Sequence, residues 1–345
     1  MADTAKVTDI LKLTLLAVLV FFSIAAFYLY AFGPRQSTTP PKTGANAEGA
    51  VRQRIKITQK QPEIDPAEFA RRQAEQQMKE WEEFEKEDLA QRNEIWAKVK
   101  KELEAKFAPS GEFPQMIELA TPRYITQFAP PKPVAGAPPP PVTPLPPPVR
   151  VFVKDKRIEF EAKTCLVGGS WPPEVLLCDP GGRVHESILV TEVNPYDVWQ
   201  GLLLLGLEMC YGPRSDSDDR PLDGDRVLIF VEWKDKENKP VRVYTEDLIY
   251  NMDTNKSMER TGWLFTGSHF VTNPQTNATE LIAARRGNIA VTWHRPEAIL
   301  DNPSPDGANP NLYKVYEGHI PERGTPVTVI ITPHEKYNAA RREKK

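Results

Sequence analysis

Apolar and polar residues alternate in short runs from Val149 to Pro333, the period-two signature of strands buried on one face. In VRVFVKDKRIEFEAK, which begins at Val149, the alternation continues on both sides of Asp155-Lys156 and predicts a β-hairpin. EVLLCDPGGRVHESILV, from Glu174, repeats the pattern about a Pro180-Gly181-Gly182 turn, and DRVLIFVEWKDKENKPVRVYT, from Asp225, repeats it about the polar loop 234–239. Further strands are predicted at GWLFTG, ELIAAR, NIAVTW and TPVTVIIT. Among them Asn194 caps a short helix, with Pro195 in its first turn, Asp197 at its third position, and Val198, Leu202, Leu203, Leu205 and Leu207 mostly inward. A helical turn is expected around 296–300. Strands outnumber helices and seldom alternate with them, so the predicted fold class is α+β: a largely antiparallel β-sheet head domain with a few short helices.

Ahead of this head the pattern changes three times. Residues 13–32, LTLLAVLVFFSIAAFYLYAF, carry no charge, and a helix of that length covers about 30 Å, the thickness of a bilayer's hydrocarbon core. Tyr28 and Tyr30 suit the lipid–water interface, and the apolar run continues past Ser23-Ile24-Ala25, which favours a retained anchor over a cleaved signal peptide. Flanking charge is equivocal about orientation, with Lys6 and Lys12 facing Arg35, Lys42 and Arg52. The short N-terminal tail argues for an N-terminus inside and the C-terminal part exported.

Residues 65–107 then read as one long charged helix, with Asp65 as N-cap, Pro66 at the first helical position and Glu68 three residues after the cap. Met78, Trp81, Leu89, Trp96, Val99, Leu103 and Phe107 mark an apolar stripe whose register drifts. It predicts either a partner-binding stalk or a solvated helix folded back on the head. Residues 130–148 contain eleven prolines, which excludes helix and sheet and predicts a polyproline spacer of about 60 Å between membrane and head, or a ligand for a proline-recognising domain. The predicted organisation is therefore a tail (1–12), a transmembrane signal anchor (13–32), a flexible segment (33–64), a charged helix (65–107), a proline-rich linker (108–148), the head (149–334) and a solvated basic tail (335–345).

Composition narrows the function. The 34 prolines and a mean hydropathy of −0.47 place much of the 345-residue chain outside a core. A net charge of −3 supplies no field for nucleic acid. Cys165, Cys178 and Cys210 are too few for a disulfide framework, a paired CxxC metal site or an iron–sulfur cluster, although Cys165 and Cys178 could bridge in an oxidising compartment. No G-x-S-x-G elbow, Walker loop or G-x-G-x-x-G fingerprint is present.

CLVGGSWPPEVLLCDPGGRVHESILV, then LLLLGLE, GWLFTGSHF, GNIAVTW and EGHIPERGTPVTVIITP occur in an order that resembles the YdjY-domain family of bacterial exported proteins, over residues 149–333. The resemblance implies an extracytoplasmic, membrane-tethered or lipidated module of unestablished function.

The candidate site residues are His185, Glu186, Ser187 and Cys178. The family carries the His-Glu-Ser run at the matching place, which the resemblance turns into a functional expectation without assigning chemistry. A zinc helix of the H-E-x-x-H type is excluded because position 189 is Leu. The strand-like alternation of HESILVTE places His185 and Ser187 on one face and Glu186 on the other, so a site would recruit His269, His294 or Cys178 from elsewhere.

The expected function is a single-pass, membrane-anchored envelope module with a binding or structural role and no cofactor, its C-terminal domain periplasmic. Its partners would be the bilayer through residues 13–32 and a protein through the charged helix or the proline-rich segment. The alternative is an exported enzyme or metal-binding domain using His185 with Glu186 or Cys178.

Overall fold

A computed structural model describes residues 66–122, 145–169, 171–272 and 279–344. The expected anchor at 13–32 and most of the proline-rich stretch lie outside the described residues. Among the described residues no helix is long and apolar enough to cross a membrane.

The strands, in chain order, are β1 (Ile117–Leu119), β2 (Val149–Phe152), β3 (Arg157–Thr164), β4 (Val175–Cys178), β5 (Ser187–Thr191), β6 (Arg226–Lys234), β7 (Pro240–Tyr244), β8 (Ile249–Asn251), β9 (Lys256–Ser257), β10 (Trp263–Phe265), β11 (Phe270–Thr272), β12 (Thr279–Leu281), β13 (Asn288–Val291), β14 (Leu300–Asp301), β15 (Tyr313–Val315) and β16 (Pro326–Pro333). The helices are α1 (Pro66–Phe107), α2 (Pro195–Leu204), α3 (Ile282–Arg286) and α4 (Glu335–Arg342).

The sheet closes on itself. Pairing runs β3–β16–β6–β10–β14–β13–β4–β5 and returns from β5 to β3, so the expected largely antiparallel sheet is closed into an eight-stranded barrel. Closure depends on two long strands that change partner along one edge. β3 pairs β2 through residues 157–159 and β5 through 162–164, while β6 pairs β10 at its start and β7 beyond. A closed ring leaves no long unpaired edge among these strands.

Two neighbouring pairs, β4–β5 and β13–β14, run parallel. The Pro180-Gly181-Gly182 turn therefore does not make a hairpin. Instead 179–186 loops back over the end of β4 and starts β5 in the same direction, and 292–299 does the same between β13 and β14. Both returns are shorter than the usual helical crossover of a dozen or more residues. Gly287 permits the first of them: its φ is +77°, and a Cβ there would stand 2.2 Å from Asp179 Oδ1 and 2.5 Å from the Gly182 nitrogen.

Alternation explains the core. β3 buries Ile158, Phe160, Ala162 and Thr164, and β6 buries Val227, Ile229 and Val231, against Val327, Val329 and Ile331 of β16. α2 is buried nearly all round. Asn194 caps it by accepting the Tyr196 N–H, and Trp199, Leu202 and Leu203 are fully buried. Thr121, just after β1, donates its N–H (2.7 Å) and its hydroxyl (2.5 Å) to the buried Asp197 carboxylate in the first turn of α2.

Three features depart from the expected organisation. β1 pairs antiparallel with β2, Leu119 opposite Val149, so the head takes in residues before 149 and the proline-rich stretch leaves and re-enters one strand pair. α1 takes the second of its two expected forms, a helix folded back on the head, and departs from it only in depth: Val99 and Leu103 are buried in the main core, Trp96 and Phe107 pack on it, and Arg92 is only 4% exposed. The basic C-terminus is not simply solvated. α4 is tied down by Arg341 and Arg342 to the fully buried Asp225, and by Asn338 to the backbone of Arg226.

Cys165, Cys178 and Cys210 are all free and buried. β5 runs between the first two: the Cys165 N–H bonds the Ile188 carbonyl on one side, and Cys178 is in register with Val190 on the other. Two inter-strand spacings separate them by about 9–10 Å, beyond the reach of a disulfide.

Candidate functional site

The two tight parallel returns lie side by side and build a charged ledge. Arg183, His185 and Glu186 come from the first, Arg295 from the second, and Glu174 from the residue before β4. Arg183 Nη1 donates to Glu174 (3.1 Å) and Glu186 (2.8 Å), and Arg295 Nη2 donates to Glu174 at 2.7 Å. Arg295 also lies over the Trp293 ring at 4.0 Å.

His185 and Glu186 occupy a 3-10 turn rather than the strand. This corrects the expectation that they point to opposite faces, since His185 Nε2 stands 3.3 Å from Glu186 Oε1. The imidazole is 75% exposed, whereas Glu186 is largely covered. Ser187 begins β5, fully buried, and hydrogen-bonds the Leu189 carbonyl beneath the ledge.

Cys178 also lies beneath. Burial pushes its thiol up to about 12, so it is a protonated core side chain and not a nucleophile working with His185. Nor do the other histidines join His185. His269 borders a cleft under α1, and His294 is fully buried with its Nδ1 2.7 Å from Asp301 Oδ1.

The two ledge carboxyls share a hydrogen bond and are driven apart. Burial, with the charge and hydrogen bond of Glu186, raises Glu174 above the ordinary carboxylate range against the pull of Arg295. Burial also opposes ionisation of Glu186, but the hydrogen bonds from Arg183 and Glu174 outweigh it and hold that group low. Glu174 is thus the member of the pair that ionises less readily and Glu186 the one that ionises more readily.

The second return carries its own buried lock. Burial raises Asp301, while His294 and the N–H groups of Arg295 and Asn302 stabilise its charge. Gly307 makes room for the imidazole: a Cβ there would lie 2.4 Å from His294 Cε1. Asn302 Nδ2 bonds the Thr292 carbonyl and closes the loop further.

A cleft of about 430 Å³ lies between α1 and the barrel, within the usual range for binding pockets. On the helix side Arg92 donates to the carbonyls of Thr266 (2.7 Å) and Ser268 (3.2 Å) and meets Asp88 at 2.8 Å. Arg214, from the barrel side, grips Glu85 with two bonds of 2.7 and 2.9 Å. Trp81 and Phe84, 45% and 59% exposed, meet edge to face at the mouth, opposite Tyr211 and Phe270.

Among the described residues no group of three or more His, Cys, Asp or Glu is placed to hold a metal ion. Glu174, Arg183, Arg295 and Arg92 were not singled out from the sequence. Glu174 and Arg183 flank the first predicted turn and were findable as an opposite-charge pair, but Arg92 sits in a charged run that hides its burial.

The described residues form an α+β barrel head with short helices and two tight parallel returns. The family model of the YdjY domain matches residues 149–332, and the chain belongs to that family. Among curated proteins and among solved structures, no match is found.

Proposed function

We propose that this YdjY-domain protein is a single-pass, membrane-tethered binding module of the bacterial envelope, with residues 13–32 as anchor and the barrel on the periplasmic side. The observation that carries the reading is the division of α1. From Glu85 onward one face of it, through Arg92, Val99 and Leu103, is built into the head, while Arg71, Arg72 and Glu75 near its start are exposed. A helix rooted in the barrel at one end and leading back toward a long uncharged run at the other is a tether. The proline-rich stretch takes no part in it, because its two ends meet at β1 and β2.

Fractionation of cells expressing the full chain tests this. The intact protein is expected in the membrane pellet after alkaline carbonate extraction, with the barrel cleaved by protease only once the outer compartment is opened. Recovery of the intact chain in the soluble fraction would overturn it.

One observation favours a second reading. Glu174 and Glu186, whose carboxyls are shifted in opposite directions, stand beside the exposed His185 and bring titratable groups of unlike tendency to one ledge. On that reading the protein is an exported enzyme using His185, Glu186 and Glu174, with Cys178 excluded by its burial. The two arginines that neutralise the pair weigh against it, since they lock the carboxyls into a structural network.

A further inference from the structure

We propose that the cleft between α1 and the barrel binds a cationic peptide segment, whose lysine or arginine side chains are received by Trp81 and Glu87. This goes beyond the tethered-module reading, which concerns where the head is held and not what it meets.

The cleft's positive charges are already committed. Arg92 is consumed by Asp88 and two backbone carbonyls, and Arg214 by both oxygens of Glu85. Burial holds His269 below its ordinary value, so the imidazole adds no charge at neutral pH. Glu87 lines the same cleft, is exposed and makes no ion pair among the described residues. Glu82 and Glu83 on the adjoining turns are exposed as well.

The negative potential therefore coincides with aromatic surface that the fold leaves open. Trp81 and Phe84 are large apolar side chains spent on the wet end of a charged helix, where neither supports the core. An indole ring and a carboxylate lining one cleft can together receive ammonium or guanidinium groups, the ring through cation–π attraction and the carboxylate through charge. Small neutral ligands would use the aromatics but leave Glu87 idle, and anionic ones would face uncompensated repulsion.

The test uses the full chain in nanodiscs of zwitterionic lipid, with empty discs as control. Three fluorescent octapeptides are compared by anisotropy: one with lysine and arginine alternating with alanine, its glutamate counterpart and a serine counterpart. The cationic peptide is expected to bind at least about tenfold more tightly than either of the others, and to weaken as salt rises. Trp81→Ala and Glu87→Gln should each lower its affinity about fivefold or more, while Glu112→Gln, an exposed acid outside the cleft, should not. All three positions are exposed, so the variants are expected to fold. Absence of cationic binding, equal binding of the three peptides, or binding that survives the Trp81→Ala/Glu87→Gln double variant overturns the proposal. Any of these results, with the chain still in the membrane pellet, removes the ligand and leaves the tether standing.

Discussion

Leu119 and Val149 face each other across the β1–β2 pair, although 29 residues of chain lie between them. The proline-rich stretch is therefore an excursion from one strand pair, and its length does not set the distance of the head from anything.

Removing that excursion should leave the fold intact. With Thr121 and Leu145 kept, replacement of residues 123–144 by four Gly/Ser residues shortens the loop that β1 and β2 close, a gain of about 1 kcal/mol in closure entropy. Thermal unfolding is expected at the same temperature or a few degrees higher. A fall of more than about 5 °C would mean that the prolines support the barrel.

Docking of α1 should be strongly coupled to stability. Leu103 is buried against the main core, so Leu103→Ala is expected to cost about 2–4 kcal/mol in urea unfolding. Arg92→Lys keeps the charge but loses the guanidinium that meets Asp88 through Nε while Nη1 bonds the carbonyls of Thr266 and Ser268. It should destabilise measurably, whereas Arg71→Lys at the exposed start of α1 should not.

Stability should fall as pH rises through neutrality. Burial pushes Glu246 up to about 7, where its carboxyl bonds Thr245 and the Gly262 N–H. Its folded value exceeds its unfolded one, so its contribution is complete below the unfolded value near 4.5 and is lost as pH climbs past about 7. The loss is about 3 kcal/mol by the size of the shift. Glu246→Gln should flatten the pH dependence of urea unfolding between pH 5 and 8 and exceed the parent protein in stability at pH 8. Parallel curves for the two proteins would contradict this.

The three cysteines should remain thiols even in an oxidising compartment. With β5 between Cys165 and Cys178, denaturing alkylation followed by mass measurement is expected to show three labels without prior reduction. A single label, two fewer than expected, would mean a bridge and a different strand order.

Much of this architecture was legible in the order of residues, and the exceptions have physical causes. The alternation in β3, β6 and β16 exposed the long antiparallel strands because each has one wet face. Closure into a barrel was not readable, since it depends on β3 and β6 changing partners midway, and periodicity carries no record of partners. The first parallel return reads as a hairpin turn because glycine and proline announce a reversal of chain without its sense. His185 and Glu186 looked like strand residues for a similar reason, as a single 3-10 turn is too short to break a period of two. β1 was missed because three residues show no period at all. Along α1 the buried face continues through Glu85, Asp88 and Arg92, where ion pairs replace apolar side chains and hydropathy sees only a drifting stripe.

The central claim is that the second half of α1 belongs to the barrel, because both the tether and the cleft depend on it. Hydrogen–deuterium exchange on the full chain in lipid nanodiscs measures this directly. Amides of residues 92–107 are expected to exchange as slowly as those of β3, β6 and β16, while residues 66–77 exchange far faster. Uniformly fast exchange along the whole helix, with the barrel still protected, would make α1 a free stalk and contradict the account.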